Sequence, residues 1–269
     1  VAKKEEESLL MKQIKKGKSD YPPRIIIYGV EGIGKSTLAS QFPSPIFLDL
    51  EGGVRNLNVH SLPIKTAMCP STLPNIDDWT VEEEDLYGAI HLLHTETHNY
   101  KTLVLDTADR AVKLIEKHIR ANVGANELGF NKDKVKFATE LQLILMKLTE
   151  LNETNNMNIV VLAHASPVRT ENPSTGPYDS WALRLAKGYP ETMSVLVEWC
   201  DLLGFAAYDI FLRKSDEYKG KKKNLPVSNN QRWLYTHPQA QHMAKNRYHI
   251  TEDILLDYDE LATIVNIHN

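Results

Sequence analysis

Cysteine is nearly missing: Cys69 and Cys200 are the only two in 269 residues, far apart, each in an apolar or proline-flanked setting. That excludes a disulfide scaffold and a thiolate zinc site, and it fits a reducing cytoplasm. Long apolar runs are missing too. No window approaches the ~18 apolar residues of a membrane-spanning helix, so no membrane partner is expected. Residues 1–18 offer only Leu9-Leu10-Met11 where a signal peptide needs a longer apolar stretch. A strong excess of one charge is also absent. The formal net charge is −4 and the charged fraction 25%, so any contact with nucleic acid must come from a local patch. No internal repeat is visible. What the chain does have is 42% hydrophobic residues, enough for a sizeable core, in a length that suits one α/β domain.

Residues 1–20 read as an arm, flexible or oligomerising, with Glu5-Glu6-Glu7 ahead of Leu9, Leu10 and Ile14 and lysines after them. Tyr21-Pro22-Pro23 ends it, and residues 21–269 form the main domain. There, β-branched runs alternate with amphipathic stretches. Strands are expected at Arg24 to Tyr28, Pro45 to Leu50, Thr102 to Leu105, Asn158 to Ala163 and Asp201 to Leu212. Helices are expected at Lys35 to Phe42, Asp85 to Thr97, Asp109 to Asn122, Lys134 to Asn152 and Glu191 to Val197. Residues 54–84 read as irregular and residues 165–189 as a long polar loop. Lys219 to Lys223 suggests an exposed hairpin tip, followed by short strands at Trp233 to Thr236 and Arg247 to Ile250. A terminal helix, Glu252 to Ile267, would be capped by Thr251. Such alternation implies a mostly parallel twisted sheet with helices on both faces. His91, His94 and His98 share a helix face, but with no acidic or cysteine partner they read as exposed surface.

The most informative stretch is Gly29-Val30-Glu31-Gly32-Ile33-Gly34-Lys35-Ser36, followed by Thr37. It satisfies the full Walker A pattern and lies where the chemistry needs it, between an apolar strand and a helix start. Glycines let backbone N–H groups close around phosphates, Lys35 offers a cation to the β- and γ-phosphates, and the Ser36 hydroxyl suits Mg²⁺. The apolar strand Thr102-Leu-Val-Leu-Asp106 supplies the second carboxylate of a Walker B arrangement.

Between these motifs, Phe47-Leu48-Asp49-Leu50-Glu51 closes a strand with Asp-x-Glu. Here the sequence resembles the RecA-like P-loop ATPases, whose second core strand ends the same way. The resemblance implies that Glu51 polarises the attacking water. It also makes His164, after the strand Ile159 to Ala163, the residue that senses the γ-phosphate, although a glutamine is common there. Late in the chain, Ala244-Lys245-Asn246-Arg247-Tyr248 is similar to a Lys-x-Arg finger that reaches a neighbouring subunit's nucleotide, with His249 where glycine is usual. Across residues 22–250 the order of motifs looks like phage-encoded RecA-like nucleotide-binding proteins, among them single-strand annealing recombinases.

That resemblance implies an ATP- and Mg²⁺-dependent hydrolase. It would act on single-stranded DNA as a homo-oligomer, ring or filament, in the cytoplasm, the host's if phage-encoded. A single-strand binding protein or a helicase would be a further partner. The segment 165–189 carries Arg169, Tyr178, Trp181, Arg184 and Lys187, a mixture of cations and aromatics suited to phosphate contact and base stacking. A helicase-type motor or loader uses the same core. A P-loop small-molecule kinase is the remaining alternative, and Glu51 with Lys245 and Arg247 argues against it.

Overall fold

The computed structural model describes residues 21–73, 80–124, 129, 132–214 and 224–268; the arm of residues 1–20 and the Lys219 to Lys223 tip lie outside them. Pro23 delivers the chain into β1 (Arg24–Gly29), whose four central residues Ile25 to Tyr28 are completely buried. A strand with no exposed face belongs in the middle of a sheet. Its two neighbours are parallel: β5 (Asn158–Thr170) on one side and β7 (Leu202–Lys214) on the other. Beyond β5 come β4 (Thr102–Asp106), β2 (Pro45–Asp49) and β3 (His60–Pro63), all parallel. Beyond β7 the sheet turns antiparallel with β8 (Asn224–Tyr235) and β10 (Ile254–Leu255). Two strands lie off this path: β6 (Tyr178–Leu183) on β5 and β9 (Lys245–Asn246) on β7.

Alternate residues of each strand feed opposite cores. Ile26, Tyr28, Leu48 and Leu105 pack on α2 (Leu86–Thr95), α3 (Ala108–Asn122), α4 (Lys132–Thr154) and α5 (Pro190–Trp199). Ile25, Ile27, Phe47 and Val104 pack on the other face, against α1 (Lys35–Ala39) and α6 (Tyr258–Ile264). The expected sheet with helices on both faces is the one observed.

Several boundaries differ, each for a local reason. The expected loop 165–189 is mostly ordered: β5 runs on to Thr170, pairs with β6 from Ala165↔Leu183 to Thr170↔Tyr178, and a short 3₁₀ turn follows at Arg184–Lys187. α1 ends at Ala39, because the last turn tightens through Gln41 N–H to Leu38 O and Phe42 N–H to Ala39 O before Pro43. Residues 54–84 contain β3 and a 3₁₀ turn at Pro70–Thr72. The terminal helix begins at Tyr258: Asp257, not Thr251, caps it by accepting from the amides of Asp259 and Glu260, and β10 occupies the stretch between.

Candidate nucleotide site

The parallel strands all end at one edge, and their register brings the key residues to it. Ile27, Leu162, Asp106 and Asp49 lie in one row across β1, β5, β4 and β2, and Gly29 faces His164 two residues further on. In an open α/β sheet this edge is where ligands bind. Gly29 has to be glycine, since a Cβ there would lie 2.3 Å from the carbonyl oxygen of Ala206 on β7. The loop then turns through Gly34, whose φ of +107° only glycine adopts freely, and hands the chain to α1.

Lys35 is 7% exposed and its Nζ donates to the carbonyls of Gly29 (3.1 Å) and Val30 (3.0 Å). Burial lowers its pKa, opposed by the nearby carboxylates of Asp106, Asp109, Glu51 and Glu31. A cation held against its own loop by carbonyls and acids is what an incoming polyphosphate can recruit. Ser36 Oγ donates to Asp106 Oδ2 at 2.7 Å. The Asp106 carboxyl is pushed above its ordinary range by burial, with Glu51 and Asp49 adding to the rise and Ser36 and Lys35 resisting it. A hydroxyl and a carboxylate in contact, in an acidic corner, fit a hard cation such as Mg²⁺, which takes few protein oxygens and fills the rest with water and phosphate.

Asp49 does the structural work at the end of β2: its Oδ1 accepts from the backbone amides of Glu51, Gly52 and Gly53 at 3.3, 2.7 and 3.2 Å. The turn it folds puts Glu51 at the surface of the site. There Glu51 accepts from Thr107 Oγ1 at 3.0 Å, and its other oxygen lies 3.9 Å from His164 Nε2. His164 is nearly buried and is held by Asp109, whose Oδ2 takes both the His164 amide and Nδ1, each at 2.9 Å. Lys35 and Ser36, Glu51, Asp106 and His164, drawn from four separate stretches of chain, therefore converge.

Others do not join them. Lys245 Nζ donates to the carbonyls of Val197 and Glu198, capping the end of α5, and Arg247 bonds Asp201, which also pairs with Arg24. This cluster sits at the opposite end of β1, five residues or about 16 Å from Gly29. Of the aromatic and basic residues proposed for DNA, Arg169 is exposed on the β5–β6 hairpin near Asp179 (3.5 Å), Tyr178 is half-buried beside it, and Lys187 is exposed. Trp181 is committed elsewhere: its ring stacks on Phe205 at 6.0 Å and its backbone pairs with Gln241 and Met243. Arg184 joins the phosphate loop instead, donating to Glu31 at 2.9 Å and holding that carboxyl below its ordinary range.

Two residues of the site carry no local sequence motif. Arg232 on β8 reaches across to donate to Ile33 O at 3.3 Å, and its Nη1 lies 2.5 Å from where a Gly34 side chain would begin. Asp109 is the other; its signal is a carboxylate on the apolar stripe that also holds Val112 and Ile115. An apolar recess of about 270 Å³, lined by Pro70, Tyr87, Ile90 and Ile144, lies on the α2–α4 face, away from the phosphate loop. Among the described residues no cluster of three or more His, Cys, Asp or Glu is arranged to hold a metal ion, so His91, His94 and His98 form none. No described helix is long and apolar enough to cross a membrane.

A family model described as an AAA domain matches residues 21–248. No curated protein matches the chain. A solved structure, the RadB recombinase, is similar at 15% sequence identity and a TM-score of 0.35, covering 77% of this chain and 87% of that one. A likeness that distant carries no weight for function.

Proposed function

The chain belongs to this AAA domain family, and from that premise we propose that it is an ATPase, dependent on Mg²⁺ and acting on single-stranded DNA as a homo-oligomer. The observation that carries the catalytic half is the contact of Ser36 with Asp106 beside the buried Lys35, at the edge where Glu51 is also delivered. In this reading the amides of residues 30–37 and the Lys35 ammonium hold the triphosphate, and Ser36 and Asp106 hold the Mg²⁺, which supplies charge neutralisation on the phosphates. Glu51 orients water on the γ-phosphate and takes its proton, while Thr107 fixes the carboxylate in place. Arg232 adds a cation from the far side of the loop.

The DNA half rests on the resemblance in motif order and on the exposed cations Arg169 and Lys187 of the β5–β6 region. Lys245 and Arg247 are too far from their own phosphate loop to serve it. A catalytic role for them requires a neighbouring copy, and with it release of the Val197, Glu198 and Asp201 contacts. The test is ATP turnover with and without single-stranded DNA. Stimulation by DNA supports the proposal, and strand unwinding would assign the helicase-type variant of it. Turnover indifferent to DNA, with phosphate appearing on an added nucleoside or sugar, would replace it by a kinase.

A further inference from the structure

The surroundings of Asp109 are specific. It is 4% exposed, on the first turn of α3. One oxygen, Oδ2, accepts from both the backbone N–H and Nδ1 of His164 at 2.9 Å; the other, Oδ1, is buried with no hydrogen-bond partner. A buried carboxylate with one partner residue, gripping it twice, fixes both the position of the ring and its protonation pattern. With Asp109 ionised its oxygens only accept hydrogen bonds, and the 2.9 Å contact then puts the ring hydrogen on Nδ1. In the neutral ring Nε2 then has a bare lone pair, and Nε2 is the atom 3.9 Å from Glu51 Oε2. Such a ring has no proton at Nε2 to offer a phosphate oxygen. It can only receive one.

Resting on the ATPase reading of this site, we infer that Asp109 is a positioning residue that locks His164 in the Nδ1–H tautomer, so that His164 receives the proton Glu51 takes from the attacking water. The step balances. The water oxygen bonds to the γ-phosphorus as the bond to the β–γ bridging oxygen breaks, and one water proton goes to Glu51 Oε2. An approach of about 1 Å brings Oε2–H within hydrogen-bond distance of Nε2. The proton passes to the ring, giving an imidazolium between two carboxylates and restoring Glu51 as an anion. Release of that proton to the departing phosphate or to solvent resets the site. Asp109 acts through His164 throughout, as the carboxylate of a Ser-His-Asp triad acts through its histidine.

The test begins with the full-length wild-type protein, ¹⁵N-labelled at histidine, at neutral pH without nucleotide. Long-range ¹H–¹⁵N spectra distinguish a bare ring nitrogen from a protonated one, and loss of the signal in His164→Gln assigns it. A His164 ring with Nδ1–H and bare Nε2 is expected; an Nε2–H tautomer or a resting imidazolium overturns the proposal. In turnover, Asp109→Asn should lower kcat by about 100-fold with ATP affinity unchanged, and wild-type kcat in that variant overturns it. His164→Gln covers the case in which Asp109→Asn fails to fold. Glutamine can donate to a phosphate oxygen but cannot take a proton, so lost turnover with retained ATP binding supports the relay and retained turnover overturns it. A wild-type protein that binds ATP but never hydrolyses it refutes the ATPase reading and the proton step, while the tautomer still decides whether Asp109 positions His164.

Discussion

Replacing Glu51 by glutamine separates chemistry from binding. The side chain is exposed, and its contacts are Thr107 Oγ1 at 3.0 Å and the edge of His164 at 3.9 Å. Glutamine has the same shape, and its amide oxygen can still accept from Thr107, so the turn that Asp49 organises is untouched. Stability should therefore change by no more than about 0.5 kcal/mol, the usual range for a surface substitution. The amide cannot take a proton. General-base catalysis is worth about 10²–10⁴-fold, or roughly 3–5 kcal/mol of barrier at 1.36 kcal/mol per decade. Single-turnover hydrolysis of ATP by the variant should fall by at least ~100-fold, while ATP affinity measured by calorimetry stays within about twofold. Hydrolysis within tenfold of wild type would show that the base is another group, and lost affinity would show that Glu51 serves binding.

Arg232→Ala removes a cation from the loop without touching the β-ladder, so ATP should bind about 3–10-fold more weakly with kcat/KM reduced, as read by titration and initial rates. Unchanged affinity would confine Arg232 to the Ile33 carbonyl. Burial alone would raise the Asp201 carboxyl, but bonds from Arg24 and Arg247 hold it below its ordinary value. A folded pKa below the unfolded one means a stabilising contribution that is full above about pH 4 and is lost as pH falls through the depressed value. Asp201→Asn should therefore flatten the acid limb of a Tm-against-pH profile, and an unaltered limb would contradict the assignment. Lys245→Ala uncaps α5 and should cost about 1 kcal/mol in chemical denaturation. If the residue also acts on a neighbour's nucleotide, mixing the variant with Lys35→Ala subunits restores turnover, and no rescue at any ratio limits it to the cap.

The phosphate loop was readable in the sequence because its requirements are local. A buried β-branched strand, glycines at a turn and a lysine at a helix start have to be consecutive, and they are. The positions of Asp106 and Glu51 were readable for the same reason: Asp106 ends the apolar strand β4, Glu51 follows the end of β2 by two residues, and the parallel register aligns both strand ends with β1. The β5–β6 hairpin was not. β5 leaves the core at Ser166, and the pattern changes there from continuous burial to alternation, with Pro167 interrupting it, so the outer half looked like loop. Trp181 shows the same limit: its aromatic ring suggested a base platform, but the partner that occupies it, Phe205, lies on a distant strand. Arg232 and Lys245 likewise have their contacts decided by tertiary neighbours that no local pattern encodes.

Binding of ATP·Mg²⁺ to wild type and to Lys35→Ala, followed by isothermal titration at one salt concentration, tests the central claim most directly. Wild type should bind one ATP per chain with Mg²⁺-dependent affinity, and the variant, lacking the ammonium that now rests on Gly29 and Val30, should show at least a tenfold loss. Equal affinity in the two proteins, or no binding by wild type, would contradict the account.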